Sequence, residues 1–512
     1  MPVFDFHVHP ALKAQMSAPA SRPSPWDTIS IKFKNPTLLT RLLNCQGINE
    51  VIDSQASLTQ LIKGKVNLIG LALHPPETAM MRDALINTLA KQEQTQYIDL
   101  NRIRDIASGD IYFQMLNEEL DNLKAHTTKA GKKLKIISKF SEYNAADLNT
   151  IHAVLILEGP HAFWGLQQGQ EEEDRRRGFW DNFEKFTTDN RILSINIAHL
   201  QQNDFCNHAF GIQIFKQEPF YPTGNGITQH GFRLLQRMEQ KGILLDIKHM
   251  SLYARRQLRD YRPGTMQMPM ICTHAGLTGI EYDKRGKFHY DHDNFSGGFL
   301  RVKHYKPAGY LAGTAFNASS INLYDEDVRD IVFSGGIIGL SMDQRILGLP
   351  DDLMLGDDYT DDFFDMEVIS PQEKDFFLQA PRSQPVDSDY LDVYDILLED
   401  RQNYPRYHAR HFMNQVFHFF IIADKYRINA AMMAKRICIG SDFDGVINPL
   451  DGCRNVTQLE AFKKYLLKNF EAWEMEAMYA LPVRISSFIK PADLLENIFY
   501  RNAVNFLKEN FK

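Results

Sequence analysis

Histidine, aspartate and glutamate recur in this sequence at one kind of place, the end of a short apolar run. His7 and His9 end VFDFHVH, Glu158 ends AVLILE, His199 ends RILSINIAH, His249 ends GILLDIKH, His274 ends MPMICTH and Asp442 ends RICIGSD. Imidazole nitrogens and carboxylate oxygens are the donors that hold zinc and similar divalent ions. One histidine at such a point is more often a hydrogen-bonded core residue than a ligand. The same residue types at the ends of six runs point to a metal centre.

The runs are the elements that must position these groups. They cover 3–9, 66–73, 153–158, 191–199, 242–249, 268–274, 336–342 and 436–442. Each is nearly continuous in aliphatic residues, and amphipathic stretches such as HGFRLLQRMEQK (230–241) and DEDVRDIVFSG (325–335) lie between them. That alternation predicts a parallel sheet covered on both faces. Eight such runs match an α/β fold of the (β/α)8 TIM-barrel type, in which chemistry gathers at the C-terminal ends of the strands. A period of two places Asp5, His7 and His9 on one face of the first strand. It likewise places Val154 and Ile156 with Glu158, and Ile195 and Ile197 with His199. Asp246 and Lys248 are expected to point away from the barrel interior. The second run ends in no comparable ligand; HPPE (74–77) follows it, and His74 there reads as a loop residue. Asp343, just past the seventh run, is a candidate substrate contact.

The 512 residues are 44% hydrophobic, enough for a large core. One barrel over 1–512 is expected, with insertions at about 10–60 and 74–152 and an acidic insertion at about 345–405. Five scattered cysteines without a CxxC pair fit a reducing compartment. No basic segment followed by an apolar one opens the sequence, and no run of about 18 apolar residues occurs, so a cytoplasmic protein with no membrane partner is expected. A net charge of −7 gives no reason to expect nucleic-acid binding. Residues 351–400 hold sixteen Asp or Glu against Lys374 and Arg382 alone. They read as a solvated acidic loop; interleaved Phe and Leu make a lid or a homodimer contact the sharper alternative.

Longer motifs carry a resemblance. LILEGPHAF, IAHLQQNDFCNHAFG, the unit ending in DIKHMS, PMICTHAG and IGSDFDGV resemble, in that order along the chain, segments of the membrane dipeptidase (renal dipeptidase) family of the amidohydrolase superfamily. The resemblance spans roughly 1–10, 150–345 and 410–510. It implies two divalent metals, usually zinc. His7, His9 and Asp442 would hold one, His249 and His274 the other, and Glu158 would bridge them. A metal-bridging hydroxide would be the nucleophile. Asp442 would also hold that water and pass its proton to the leaving amine. His199 would polarise the scissile carbonyl, and His161 would orient a ligand.

Two departures stand out. The family has HxD after the first strand where this chain has HxH, so one negative charge is absent. The family also has an arginine that helps hold the substrate carboxylate, where this chain has Ile321; Arg345 and Lys284 are candidate replacements. The expected activity is that of a dipeptidase-like, binuclear metallopeptidase or amidohydrolase acting on a small-molecule substrate such as a dipeptide or N-acyl amino acid. A lactonase or cyclic-amide hydrolase on the same site is one alternative, and a non-catalytic metal-binding interaction protein is another.

Overall fold

The computed structural model describes the chain apart from residues 1, 43–46, 96, 166–170, 212–219, 295, 350–364 and 381–403. All eight apolar runs form strands of one sheet: β1 Val3–Val8, β2 Val66–Leu73, β3 Thr150–Glu158, β4 Ile192–Asn196, β5 Leu244–Asp246, β6 Met270–Ala275, β7 Ile338–Leu340 and β8 Ile437–Ile439. Each pairs in parallel with the next in chain order. The last then meets the first. Val8 bridges Phe443, the Asp442 amide donates to the His7 carbonyl at 2.9 Å, and the His9 amide donates to the Phe443 carbonyl at 3.0 Å. The result is a (β/α)8 barrel.

Its apolar residues fall into two layers. Phe4 and Phe6, Leu68 and Ala72, Val154 and Ile156, Leu193, Leu244, Ile271, Ile337 and Cys438 form one buried cluster, to which every strand or its immediate flank contributes. This is the barrel interior, and it includes Phe506 and Phe511 from the C-terminal helix Asn502–Asn510 and its end. The opposite strand faces pack against the helices Glu172–Asp189, Gln229–Lys241, Leu252–Tyr261, Asp325–Phe333 and Tyr404–Lys425. Burying each such Leu, Ile or Phe contributes roughly 1.5–3 kcal/mol. Glycine is needed where β6 approaches β7 and β8. A Cβ on Gly339 or Gly440 would lie 1.9 or 1.8 Å from the Thr273 carbonyl oxygen.

The period-two expectation holds for β3, where Val154 and Ile156 line the interior below Glu158. It fails in β4. Ile195 and Ile197 belong to the outer layer, and the strand stops at Asn196, so His199 is carried by the loop beyond it. It also fails in β1, whose register shifts between Asp5 and Val8. Asp5 accepts from the backbone amides of Ser441 at 2.8 Å and His7 at 3.4 Å, and burial pushes its carboxyl up to about 6.

Between β2 and β3 lie the helices Thr78–Arg82, Ala84–Gln92, Leu100–Ser108 and Tyr112–Ala125. Asp83 and Asp99 cap two of them by accepting from Leu85 and Arg102 amides. Met80 and Leu200 link the apolar cluster of this insertion to the barrel mouth. A second, antiparallel sheet places Leu300–His304 between His289–Asn294 and Asp365–Ile369. It corrects the solvated reading of the acidic stretch for Glu367 and Glu373, whereas Asp375 is exposed. Glu367 and Glu373 are buried; Glu367 accepts from the Ser320 amide at 2.5 Å, and Glu373 from the Gly226 amide at 2.7 Å. Most of the remaining acids of 351–400 lie outside the described residues. Among the described residues no helix is long and apolar enough to cross a membrane, and Cys206, Cys272, Cys438 and Cys453 are buried free thiols.

Glu119, fully buried on the helix Tyr112–Ala125, accepts from the His74 amide at 3.0 Å. Burial pushes its carboxyl up to about 8. Between about 4.5, the ordinary glutamate value, and 8 the folded chain therefore keeps a proton that the unfolded chain has released. Stability falls as pH rises through that window. Glu119→Gln keeps the acceptor and removes the titration. The variant is expected to gain stability relative to the parent from pH 5 to pH 8 in denaturant titrations; a pH-independent difference would refute the assignment.

Candidate metal centre

The strand ends bring the predicted residues to one place. Glu158, at the end of β3, is the hub. Its Oε2 lies 3.4 Å from His9 Nε2 and 3.6 Å from His199 Nε2. Its Oε1 lies 3.2 Å from His249 Nε2, 3.5 Å from His274 Nε2 and 3.7 Å from His7 Nε2. Asp442 Oδ1 lies 3.3 Å from His9 Nε2 and 4.0 Å from His7 Nε2, and its Oδ2 lies 4.0 Å from His274 Nε2. All seven residues named from the sequence thus meet at the barrel mouth, and each of the six other than Asp442 is at most 7% exposed. His249 and Asp442 both have positive φ, 68° and 66°, a region non-glycine residues enter at a cost. Each follows a strand that has already ended, so the turn, not the strand, aims the side chain.

The electrostatics suit a cation. Burial, with His7 beside it, pushes the His9 imidazole down to about 3, and burial holds His249 and His274 well below the usual histidine value. Neutral imidazoles offer the lone pair that a metal requires. His7 and His9 place their Nε2 atoms 3.0 Å apart, too close for both to carry protons outside a shared acceptor. His9 Nδ1 and His249 Nδ1 are buried without a hydrogen-bond partner. Burial opposes charge on Glu158, but His199 and His7 outweigh it and hold its carboxyl well below the ordinary value. Burial and the neighbouring Glu158 and Asp343 push Asp442 up to about 8. Ligand atoms crowd in three overlapping sets among the described residues: His7–His9–Asp442, His7–Glu158–His274 and His74–Glu158–His199.

A second ring of residues holds the first. His7 Nδ1 lies 2.8 Å from Thr273 Oγ1, and that hydroxyl donates to Asp246. Asp246 is buried under the site and its carboxylate faces β6, which corrects the expectation that it points away. Lys248, also expected to point away, lines the cavity at 2% exposure. Burial pushes its ammonium below the usual lysine value. Glu77 escaped the sequence reading. It is buried, its Oε1 lies 2.7 Å from His199 Nδ1, and it accepts from the Leu200 amide at 3.0 Å. Burial opposes charge on His199, but Glu77 and Glu158 outweigh it and lift its imidazolium to about 9. His74, read as a loop residue, lines the cavity with Nδ1 2.9 Å from the Glu158 carbonyl oxygen. HPPE follows an apolar run as the ligands do, so the signal that found the others was present here too.

His161 and Asp444 belong to the surrounding framework, whereas Asp343 and Ile321 line the cavity. His161 reaches the Pro75 carbonyl at 2.8 Å. Asp444 accepts from the Gln55 and Ala56 amides, both at 2.8 Å, and from Lys13 at 2.6 Å, tying the first insertion to β8. Asp343 lines the cavity and caps the turn Gln344–Leu347 by accepting from the Arg345 amide. The Arg345 guanidinium grips it at 3.0 and 2.5 Å. Ile321 lines the cavity, whereas Lys284 is exposed and pairs with Glu281.

With this geometry in hand, two solved structures are informative. Dipeptidase AC, a metallopeptidase of family M19, matches all of this chain and 99% of its own at 14% identity, with a TM-score of 0.50. A metallopeptidase from Rhodobacter sphaeroides, bound to a phosphinate mimic of the dipeptide L-Ala-D-Ala, matches equally far at 15% identity and a TM-score of 0.52. This chain shares their fold. No protein-family model matches it, and no curated protein is detectably similar in sequence.

The relay from His7 through Thr273 to Asp246 gives a direct test. Asp246→Asn is expected to weaken divalent-metal binding roughly 10- to 100-fold, the usual effect of losing an outer partner of a ligand histidine. Competition against a coloured chelator measures it, and unchanged affinity would show that the relay does not orient His7.

Proposed function

We propose that this chain is a binuclear metal-dependent hydrolase that cleaves an amide bond of a small molecule, with a dipeptide or N-acyl amino acid as the leading substrate class. The observation that carries this reading is the convergence of buried, neutral imidazoles on the two oxygens of Glu158 at the mouth of a barrel shared with metallo-dipeptidases. His7, His9 and Asp442 would hold one ion, His249 and His274 the other, and Glu158 would be shared between the two sets. Zinc suits this mixture of imidazole and carboxylate donors. When bound, such ions supply Lewis acidity and make a nearby water acidic enough to lose its proton near neutral pH.

The chain's own groups do the rest. Asp442 accepts the proton of the attacking water and returns it to the leaving nitrogen. Its position supports that role: Oδ1 lies 3.3 Å from His9 Nε2 and the side chain lines the cavity beside Glu158. His199 presents Nε2–H to the carbonyl oxygen as negative charge develops there. Glu77 fixes that orientation by occupying Nδ1. The apolar residues Leu12, Met16, Met80, Leu200 and Phe210 line the cavity and exclude water around an uncharged side chain of the substrate.

Ile321 in the cavity wall favours a second reading, a lactone or cyclic amide that needs no partner for a free carboxylate. Turnover of a panel of dipeptides, N-acyl amino acids, lactones and cyclic amides separates the two. Hydrolysis is expected to require added zinc and to stop on chelation; turnover that survives chelation would refute the metal mechanism. Glu158→Gln and Asp442→Ala are each expected to lower kcat by about 10²- to 10⁴-fold, with circular dichroism confirming that the variants fold. Near-normal kcat in either would remove that residue from the chemistry.

A further inference from the structure

Lys248 is the feature of the cavity that the hydrolase reading leaves unused. It is 2% exposed, yet its ammonium has one hydrogen bond, to the Ile321 carbonyl oxygen at 3.2 Å, and makes no ion pair among the described residues. An ammonium has three protons to donate, and a buried charge is normally met by a carboxylate. Arg345 and Lys306 also line this wall, and Arg345 is already committed to Asp343 through two guanidinium contacts. Lys248 follows β5 one residue before His249, whose Nε2 reaches Glu158, so its side chain enters the cavity within one residue of the proposed metal centre. The carbonyl it touches belongs to Ile321, a residue whose own side chain cannot hold an anion.

We propose that Lys248 is the anion anchor of this site, and that it selects substrates carrying a carboxylate beside the scissile amide. The inference rests on the hydrolase reading and narrows its substrate class to acids, with the uncharged part of the substrate lying against Leu12, Met16 and Phe210. Lys248 is a specificity-determining residue and takes no part in bond cleavage. The anion must come close, because a charge-assisted contact to a buried ammonium is made at hydrogen-bonding distance.

The experiment is calorimetric binding of two non-hydrolysable probes to the zinc-loaded full chain: an Ala-Leu phosphinate dipeptide mimic and its C-terminal carboxamide. The phosphinate group is common to both, so the ratio of affinities reads the carboxylate alone. The parent protein is expected to bind the acid roughly 10- to 100-fold more tightly than the amide. Lys248→Met is expected to bring the ratio close to one, and Lys248→Arg to retain part of it. Equal binding of the two probes by the parent overturns the proposal without any variant, and so does failure of both to bind. A preference that persists in Lys248→Met overturns it as well, and its loss instead in Lys306→Met would move the anchor to Lys306. Turnover of neutral amides without acid preference would sink this inference and leave the hydrolase reading standing. Acid preference in binding with no turnover of any amide would do the reverse.

Discussion

Two backbone hydrogen bonds hold this architecture closed. The amides of Asp442 and His9 reach across to the carbonyls of His7 and Phe443. Without them β1 and β8 would be open sheet edges, and the three side chains His7, His9 and Asp442 would have no fixed relation to one another. With them, the closure and the proposed ligand set are one object. The same residues that complete the barrel present the donors, because backbone pairing on one side of the chain sets the direction of the side chains on the other. Gly339 and Gly440 belong to this constraint, since the close approach of β6 to β7 and β8 brings Thr273 to the back of His7.

The site is built to be electrically incomplete. Around Glu158, held as an anion, burial keeps His9, His249 and His274 neutral, whereas carboxylate neighbours favour the imidazolium of His199 and Asp442 is inclined to keep its proton. Gathering such groups out of water is unfavourable on its own. The surrounding framework carries that cost. The barrel interior, the outer helical layer and the hydrogen bonds from Asp246, Thr273 and Glu77 fix the donors in place, so little reorganisation is left for a ligand to drive.

Much of this was legible in the sequence, for a physical reason. A buried parallel strand must be continuously apolar, so eight such runs announced the sheet, and polar residues at their ends could only belong to its rim. Glu158 was also correctly aimed, because β3 keeps its alternation to its last residue. What escaped is how the residues beyond the strand ends are aimed, although His199, His249 and Asp442 were themselves named. His199, His249 and Asp442 are placed by turns, two of them with positive φ, and alternation says nothing about a side chain there. Asp246 and Lys248 were hidden by the wrong choice of inward face: Leu244 lies in the barrel interior and Leu245 and Ile247 in the outer layer, so a count of two from Leu244 points both residues inward. His74 and Glu77 were passed over because two prolines separate them, and HPPE reads as a turn before it reads as chemistry. Glu367 and Glu373 show the converse. Their acidic neighbourhood suggested solvent, but backbone amides of other segments bury them.

The closure of β1 on β8 also orders events in time. A ribosome delivers His7 and His9 more than 400 residues before Asp442. Domains of this size fold largely as units during and after synthesis, and here the pairing that unites these three donors is among the longest in sequence that the fold contains. Until it forms, the nascent protein carries half of a chelating pocket on a strand with an unpaired edge. The three side chains are thus united late, at the step that also removes the exposed edge.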